Sequence, residues 1–275
     1  MKCSVRSSLR NRRIALGVLA AVFVTAGGCT GGGLNATPVQ PRAEWTLDHG
    51  GIVRGDASRR RITLIFTGGE HGEGTGFILD TLSEAGVKAA FFVTGDYIAK
   101  HEYHAHLRRI VANGHYLGPH SDSHPLYCPW EDRELTLVTR EFFERDLRKN
   151  IADLRRFGAM PDGEPIYFIP PYEWYNADQV QWARAMGITL FNFTPGSGSN
   201  RDWIPESHAK FVSSERILRD VLAFERKEPR GLNGFLLLLH LGSQRAGKMH
   251  LKLPELIAEL RERGYEFVGL DEMLR

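Results

Sequence analysis

The chain has 275 residues, 42% of them hydrophobic and 25% charged, with 35 Lys and Arg against 33 Asp and Glu and a formal net charge of +2. Five of the basic residues and none of the acids fall in the first 28 positions, so beyond them 30 basic residues face 33 acidic ones, a net of −3. That balance excludes the basic face of a nucleic-acid-binding protein, and three cysteines in all (Cys3, Cys29 and Cys128) leave no pair for a disulfide once the N-terminal region is set aside.

In chain order, Lys2, Arg6, Arg10, Arg12 and Arg13 precede an apolar run from Ile14 to Ala26. A basic stretch followed by an apolar one too short to span a bilayer predicts a secretory signal over 1–28. Thr25-Ala26-Gly27-Gly28-Cys29 resembles a bacterial lipobox, which makes Cys29 a lipidated N-terminus. The alternative is ordinary cleavage near Ala26. Arg12-Arg13 hints at twin-arginine export, but its flanks do not fit. Residues 29–44, small and Pro/Gly-rich, predict a flexible tether, and 45–275 a single domain.

Within that domain, 45–60 predicts a hairpin or cap. Strands are predicted at 62–66, 89–93, 115–118, 166–169, 188–193, 234–240 and 265–269. Helical patterns lie near 75–85, 97–113, 132–157, 177–186, 214–228 and 253–263. Gly86, Gly114, Gly158, Gly187 and Gly264 follow helices, where glycine commonly stops them. Seven strands alternating with helices predict a parallel α/β sheet, open or closed. Phe235-Leu236-Leu237-Leu238-Leu239, apolar on both faces, suits a strand buried on both sides. In such barrels chemistry sits where strands end, and the polar groups there are Thr67–His71, Pro119–His124, Pro170–Tyr175, Thr194–Trp203 and His240.

His120 and His124, four apart, would present both imidazoles on one side of a helical turn and grip a divalent ion; a solvated pair is the plain alternative. His101, His104 and His106 read as a solvated helical face, His115 as structural, and Cys128 as packing.

Gly114-His115-Tyr116-Leu117-Gly118-Pro119-His120-Ser121-Asp122-Ser123-His124-Pro125 resembles the histidine motif of the polysaccharide deacetylases, the NodB-homology carbohydrate esterases. Phe168-Ile169-Pro170-Pro171-Tyr172 resembles their third motif and Leu237-Leu238-Leu239-His240 their last. The resemblance covers residues 60–275. It implies a distorted (β/α)7 barrel, a divalent metal on His120 and His124 (zinc, with cobalt or manganese as substitutes), and removal of acetyl groups from a polysaccharide. It further implies His240 as general acid supported by Asp202 of Asp202-Trp203, and the Tyr172 backbone N–H as oxyanion donor.

The first motif departs. Where the family has Thr-Phe-Asp-Asp-Gly, supplying base and third ligand, this chain has Ile65-Phe66-Thr67-Gly68-Gly69. Glu70 is the expected replacement as base or ligand, with His71 able to complete the metal site; otherwise the site is dead. The third motif has Ile169 in place of an Arg that orients the lost Asp. Glu173 is a relocated acid or base, a sugar contact or a surface residue, and Pro171, Trp174 and Tyr175 join it as substrate-binding candidates. The expected protein is a monomeric, exported envelope lipoprotein that meets membrane only through its anchor. An inactive carbohydrate-binding relative and a metal-free glycoside hydrolase using Glu70 and Glu173 remain as alternatives.

Overall fold

The computed structural model describes Leu34 and residues 36–275. The predicted signal segment and Cys29 lie outside the described residues. Of the predicted tether, residues 36–44 lie along the domain: the Val39 N–H donates to Thr189 Oγ1 at 2.8 Å.

The elements run in chain order as β1 (Thr46–Asp48), β2 (Gly51–Arg54), β3 (Arg61–Gly68), α1 (Thr75–Ala85), β4 (Ala89–Val93), α2 (Gly95–Ala99), α3 (His104–Ala112), β5 (Tyr116–Pro119) and α4 (Arg140–Arg155), then β6 (Ile166–Phe168), α5 (Ala177–Ala185), β7 (Ile188–Leu190), α6 (Ser214–Lys227), β8 (Phe235–His240), α7 (Leu253–Glu262), β9 (Glu266–Phe267) and α8 (Leu270–Met273). All seven predicted strands are present, β3 to β9. The 45–60 segment is the β1–β2 hairpin, whose two-residue turn has positive φ at both His49 and Gly50, the backbone that matches the right-handed strand twist.

Strands β5-β4-β3-β8 form one parallel sheet, with β9 beside the start of β3 and β6-β7 a separate parallel pair. The barrel closes by other means at its two seams. Between β7 and β8 the hairpin strand β2 is wedged: Ile52 bridges Phe191, the Asn192 N–H donates to Ile52 O, and the Gly55 N–H donates to Gly234 O. Between β5 and β6 side chains do the joining, with the Tyr167 N–H donating to the Tyr116 hydroxyl at 2.8 Å.

The sequence pattern sets which side of the wall each residue faces. Leu64, Phe66, Phe91, Val93, Leu237 and Leu239 pack outward under the helices, and Ile65, Ala90, Phe92, Leu236 and Leu238 fill the barrel interior. Burial on both faces explains why β3, β4 and β8 read as continuous apolar runs rather than alternating ones. On α4 the stripe Phe143, Leu147, Ile151 and Leu154 is buried at helical spacing. That helix begins at Arg140, not near 132, because the Thr139 hydroxyl caps it by accepting from the Phe142 N–H; residues 126–138 form a loop. The 97–113 helix is likewise broken, into α2 and α3, by a short 3-10 turn at His101–Tyr103.

His115 lies buried at the start of β5, its Nδ1 accepting from the Ala89 N–H at 3.3 Å. Burial first, then the Lys88 and Arg109 charges, lower its pKa from 6.5 to about 4. Below pH 6.5 the unfolded chain takes a proton that the folded state refuses until about pH 4, so this group withdraws stability as pH falls through that window. Urea midpoints measured from pH 7 to 4 should therefore fall less steeply in His115→Gln than in the parent chain.

Candidate active site

The C-terminal ends of the strands open onto a cavity of about 700 Å3 lined by Thr67, Glu70, His120, His124, Glu173 and His240, among others. His120 and His124 are brought together by a tight turn, not by the helical turn that their spacing suggested. Ser121 and His124 hold left-handed backbone, with φ of 69° and 50°. The turn is fastened from α4: Asp146 accepts from the N–H groups of Asp122 (2.9 Å) and Ser123 (3.0 Å) and from the Ser123 hydroxyl, and Asn150 Oδ1 accepts from the His120 N–H. The Ser121 hydroxyl accepts from the His124 N–H. The imidazole centroids end 5.0 Å apart.

His120 is buried, and its Nδ1 lies 2.8 Å from the Ile169 carbonyl oxygen. A carbonyl can only accept, so Nδ1 carries the proton and Nε2 presents a lone pair to the cavity. Burial, and next the neighbouring His124, hold the His120 pKa well below the usual range. Burial and His240 lower His124 to about 4. Both imidazoles are thus neutral at physiological pH, as metal ligation requires. Across the cavity, Asp202 accepts from the His240 backbone N–H at 2.8 Å and holds His240 Nδ1 at 2.6 Å. Burial disfavours the charged form of His240, but Asp202, by charge and hydrogen bond, and Glu173 outweigh it and raise the pKa. The shift favours the charged ring, whose Nε2–H is the proton that His240 can give up.

Glu173 is the carboxylate nearest the histidine pair, with Oε1 3.9 Å from His120 Nε2 and its side chain 12% exposed. Burial, tempered by His240 and reinforced by Asp202, raises its pKa to about 7. Glu70, the expected replacement for the first motif's carboxylate, sits at the cavity rim instead. Its side chain is 74% exposed and its ionic neighbour is His71, at 3.9 Å. The Gly-flanked loop does not turn it back toward His120, because the Lys100 ammonium donates to the Glu70 carbonyl and holds that backbone outward. At the lost motif itself, Thr67 Oγ1 is buried without a hydrogen-bond partner, and a Cβ on Gly68 would stand 2.7 Å from Leu241 Cδ1. No three His, Cys, Asp or Glu side chains among the described residues lie close enough to hold a metal as they stand. Two neutral imidazoles lining the cavity, one with its lone pair turned to it, an adjacent carboxylate and the orphaned Thr67 hydroxyl nevertheless make a donor set that fits a divalent ion of the zinc type.

The substrate-binding candidates divide. Tyr175 is fully buried, its hydroxyl donating to Asp48 O, and Pro171 is buried. Trp174 donates from Nε1 to Pro129 O and carries the Arg133 guanidinium on its face at 4.4 Å. These three shape the wall from behind. The aromatics exposed at the cavity are Tyr172, Trp203 and Trp130, the last propped against Trp174 with ring centroids 5.6 Å apart. Sequence reasoning missed Trp130, Asp96, Asp146 and Asn150. The four-residue spacing of Asp146 and Asn150 inside an apolar helical stripe was the signal for two of them. Cys128 is buried, with its thiol pushed up to about 11 by burial, in keeping with a packing role.

The family described as polysaccharide deacetylase matches residues 54–191. A peptidoglycan-N-acetylglucosamine deacetylase of Bacillus cereus is 26% identical over 233 residues, 84% of this chain and 74% of that protein. Among solved structures, a family 4 carbohydrate esterase from Bacillus anthracis is 28% identical with a TM-score of 0.59, over 82% of this chain and 87% of the other. A family 4 pseudoenzyme from the same organism shares the fold at 21% identity and a TM-score of 0.64, over 83% and 70%. The matched region, the barrel and the order of the motifs agree, and the chain belongs to the polysaccharide deacetylase family of carbohydrate hydrolases.

Proposed function

We propose that this chain is a metal-dependent N-deacetylase acting on acetylated amino sugars of an envelope polysaccharide of the peptidoglycan type, working as a monomer held at the cell envelope by a lipid on Cys29. The observation that carries the reading is the Asp202–His240 dyad facing the His120–His124 pair across one cavity. The B. cereus relative, named for N-acetylglucosamine in peptidoglycan, supports the substrate class.

His120 and His124 would hold the ion, zinc by donor type, with cobalt or manganese as substitutes. When bound, such an ion polarises the acetyl carbonyl and lowers the pKa of water toward about 7. The chain's own residues do the rest. The Ile169 carbonyl keeps the His120 lone pair aimed at the cavity. His240 gives its Nε2 proton to the departing amine while Asp202 stabilises the imidazolium. The Tyr172 backbone N–H is the donor for the developing oxyanion, a contribution of roughly 3 kcal/mol for such a group. Trp130, Tyr172 and Trp203 offer ring faces to a sugar.

One specific observation favours a second reading, a glycan-binding protein without activity: Thr67 and Gly68 stand where the family has its two carboxylates. The glycoside hydrolase alternative is not favoured by any specific observation, since the Glu70 side chain is 74% exposed beside His71.

Acetate release from N-acetylated chitooligosaccharides and from peptidoglycan is expected with added zinc and lost with chelator. No release with zinc, cobalt or manganese would leave the binding reading. Asp202→Asn should lower kcat by about 10²–10⁴-fold, the range of general-acid assistance. With the anionic partner gone, His240 holds its proton less well, so the basic limb of the kcat/KM profile moves to lower pH. Asp146→Ala frees two backbone N–H groups and a hydroxyl of the 121–124 turn. At roughly 0.5–1.5 kcal/mol for each part-buried hydrogen bond lost, it should lower the thermal midpoint and weaken zinc binding together.

A further inference from the structure

We propose that Glu173 is the third protein ligand of the divalent ion, so that a carboxylate from the loop after β6 does the work lost at the end of β3. The inference rests on the proposal that this cavity takes a metal, and it deepens it by assigning the coordination sphere to residues of this chain.

The backbone is the first observation. Tyr172 (φ 58°, ψ 10°) and Glu173 (φ 53°) are two consecutive non-glycine residues in the left-handed region, a conformation unfavourable for ordinary L-residues. It is held in place by the Glu173 N–H donating to Pro170 O at 3.0 Å and by Asn192 Nδ2 donating to Glu173 O at 2.7 Å. The consequence of this turn is that the Glu173 side chain enters the cavity.

The second observation is what the carboxylate meets there. It is almost wholly buried, yet among the described residues no hydrogen-bond donor reaches either of its oxygens. A buried carboxylate is costly without a donor or a cation. Of the other acids near the histidines, Asp202 is engaged by His240 and Asp146 by the 121–124 turn, and Asp96 lines the cavity from an exposed position on α2. Glu70 is turned to solvent. Among the described residues Glu173 has no partner but His120 Nε2 at 3.9 Å, and its carboxylate opens onto the cavity.

The third is reach. Oxygen and nitrogen ligands lie about 2.0–2.2 Å from zinc, so two of them can be at most about 4.2 Å apart. Glu173 Oε1 and His120 Nε2, at 3.9 Å, are already inside that limit. A small side-chain rotation brings them to the roughly 3.3 Å of a tetrahedral pair. His124, whose ring centroid is 5.0 Å from that of His120, supplies the remaining protein donor. The set is then two imidazoles and one glutamate, with a coordination position left for water, as in other catalytic zinc sites. The end of β3 supplies no carboxylate, since Thr67 and Gly68 stand there.

The test is zinc affinity of the full-length protein, measured by competition with a chromophoric chelator, together with the visible absorption of the cobalt-loaded form. Glu173→Gln keeps the side chain's volume and is expected to weaken zinc binding more than about 100-fold, beyond the ~10–100-fold of losing an outer partner of a ligand. It should also shift the cobalt spectrum toward higher coordination by water. Glu173→Asp, one methylene shorter, should fall between. Glu70→Gln should bind zinc as the parent chain does. Circular dichroism and the thermal midpoint of the metal-free proteins confirm folding. If Glu173→Gln binds zinc within a few-fold of the parent with an unchanged cobalt spectrum, Glu173 is not a ligand and the inference is overturned, even if acetate release is lost. That result is separate from the fate of the deacetylase reading, which turns on acetate release by the parent chain loaded with zinc.

Discussion

The hydrogen bond from His120 Nδ1 to the Ile169 carbonyl ties together more of this molecule than any other single contact. It spans the seam between β5 and β6, where no strand pairing holds the barrel, and it does so at the rim where chemistry takes place. It fixes the tautomer of His120 and hence the direction of its free lone pair. It also anchors the residue from which the Pro170–Glu173 turn departs. A side chain at position 169 cannot disturb it, because the acceptor is backbone. The substitution of Ile for the family's Arg therefore leaves the histidine pair correctly aimed while removing a partner for an Asp that is itself absent.

The altered motifs form one coherent change rather than scattered losses. The end of β3 carries Thr67 and Gly68, and Leu241 and Tyr97 pack against Gly68, so that a larger residue there would require the Leu241 side chain to move. The loop after β6 carries a glutamate on a backbone that would suit glycine, and that glutamate lies between His120 and the Asp202–His240 dyad. Burial disfavours an isolated charge in such a place, and histidines or a cation offset that cost. In this chain the carboxyl group beside the histidines thus comes from the end of β6 and none comes from the end of β3. The fold permits this arrangement because all parallel strands of a barrel deliver their ends to the same rim.

The surrounding wall follows the same logic of support from behind. Asp146 and Asn150, polar residues in the buried stripe of α4, spend their hydrogen bonds on the turn that presents the histidines. Trp174, Tyr175 and Arg133 stack into a layer that carries Trp130 at its outer edge. The residues that face a ligand are few, and each rests on others that the apolar pattern alone would have assigned to the core.

The sequence by itself determined the strands and a parallel α/β sheet, and the motifs' resemblance to the family added the barrel and the histidine pair. Apolar runs bounded by glycine and turn residues are a local property, and strands buried on both faces leave a signature that neighbours in the chain suffice to read. The motif Pro119–His124 at a strand end located the site for the same reason. What only the tertiary structure decided was direction. Glu70 and Glu173 are both acids in loops beside aromatic or glycine neighbours, and nothing local says that one points to solvent and the other to His120. Trp174 and Tyr175 sit close to Tyr172 in the chain yet pack behind the wall, whereas Trp130, 42 residues before Tyr172, reaches its exposed edge. The His120–His124 spacing gave the right partnership through the wrong geometry, since left-handed backbone at Ser121 and His124, stabilised by Asp146 from a distant helix, replaces the helical turn. Side-chain direction in a loop is set by contacts far away in sequence, and those contacts exist only once the barrel has closed.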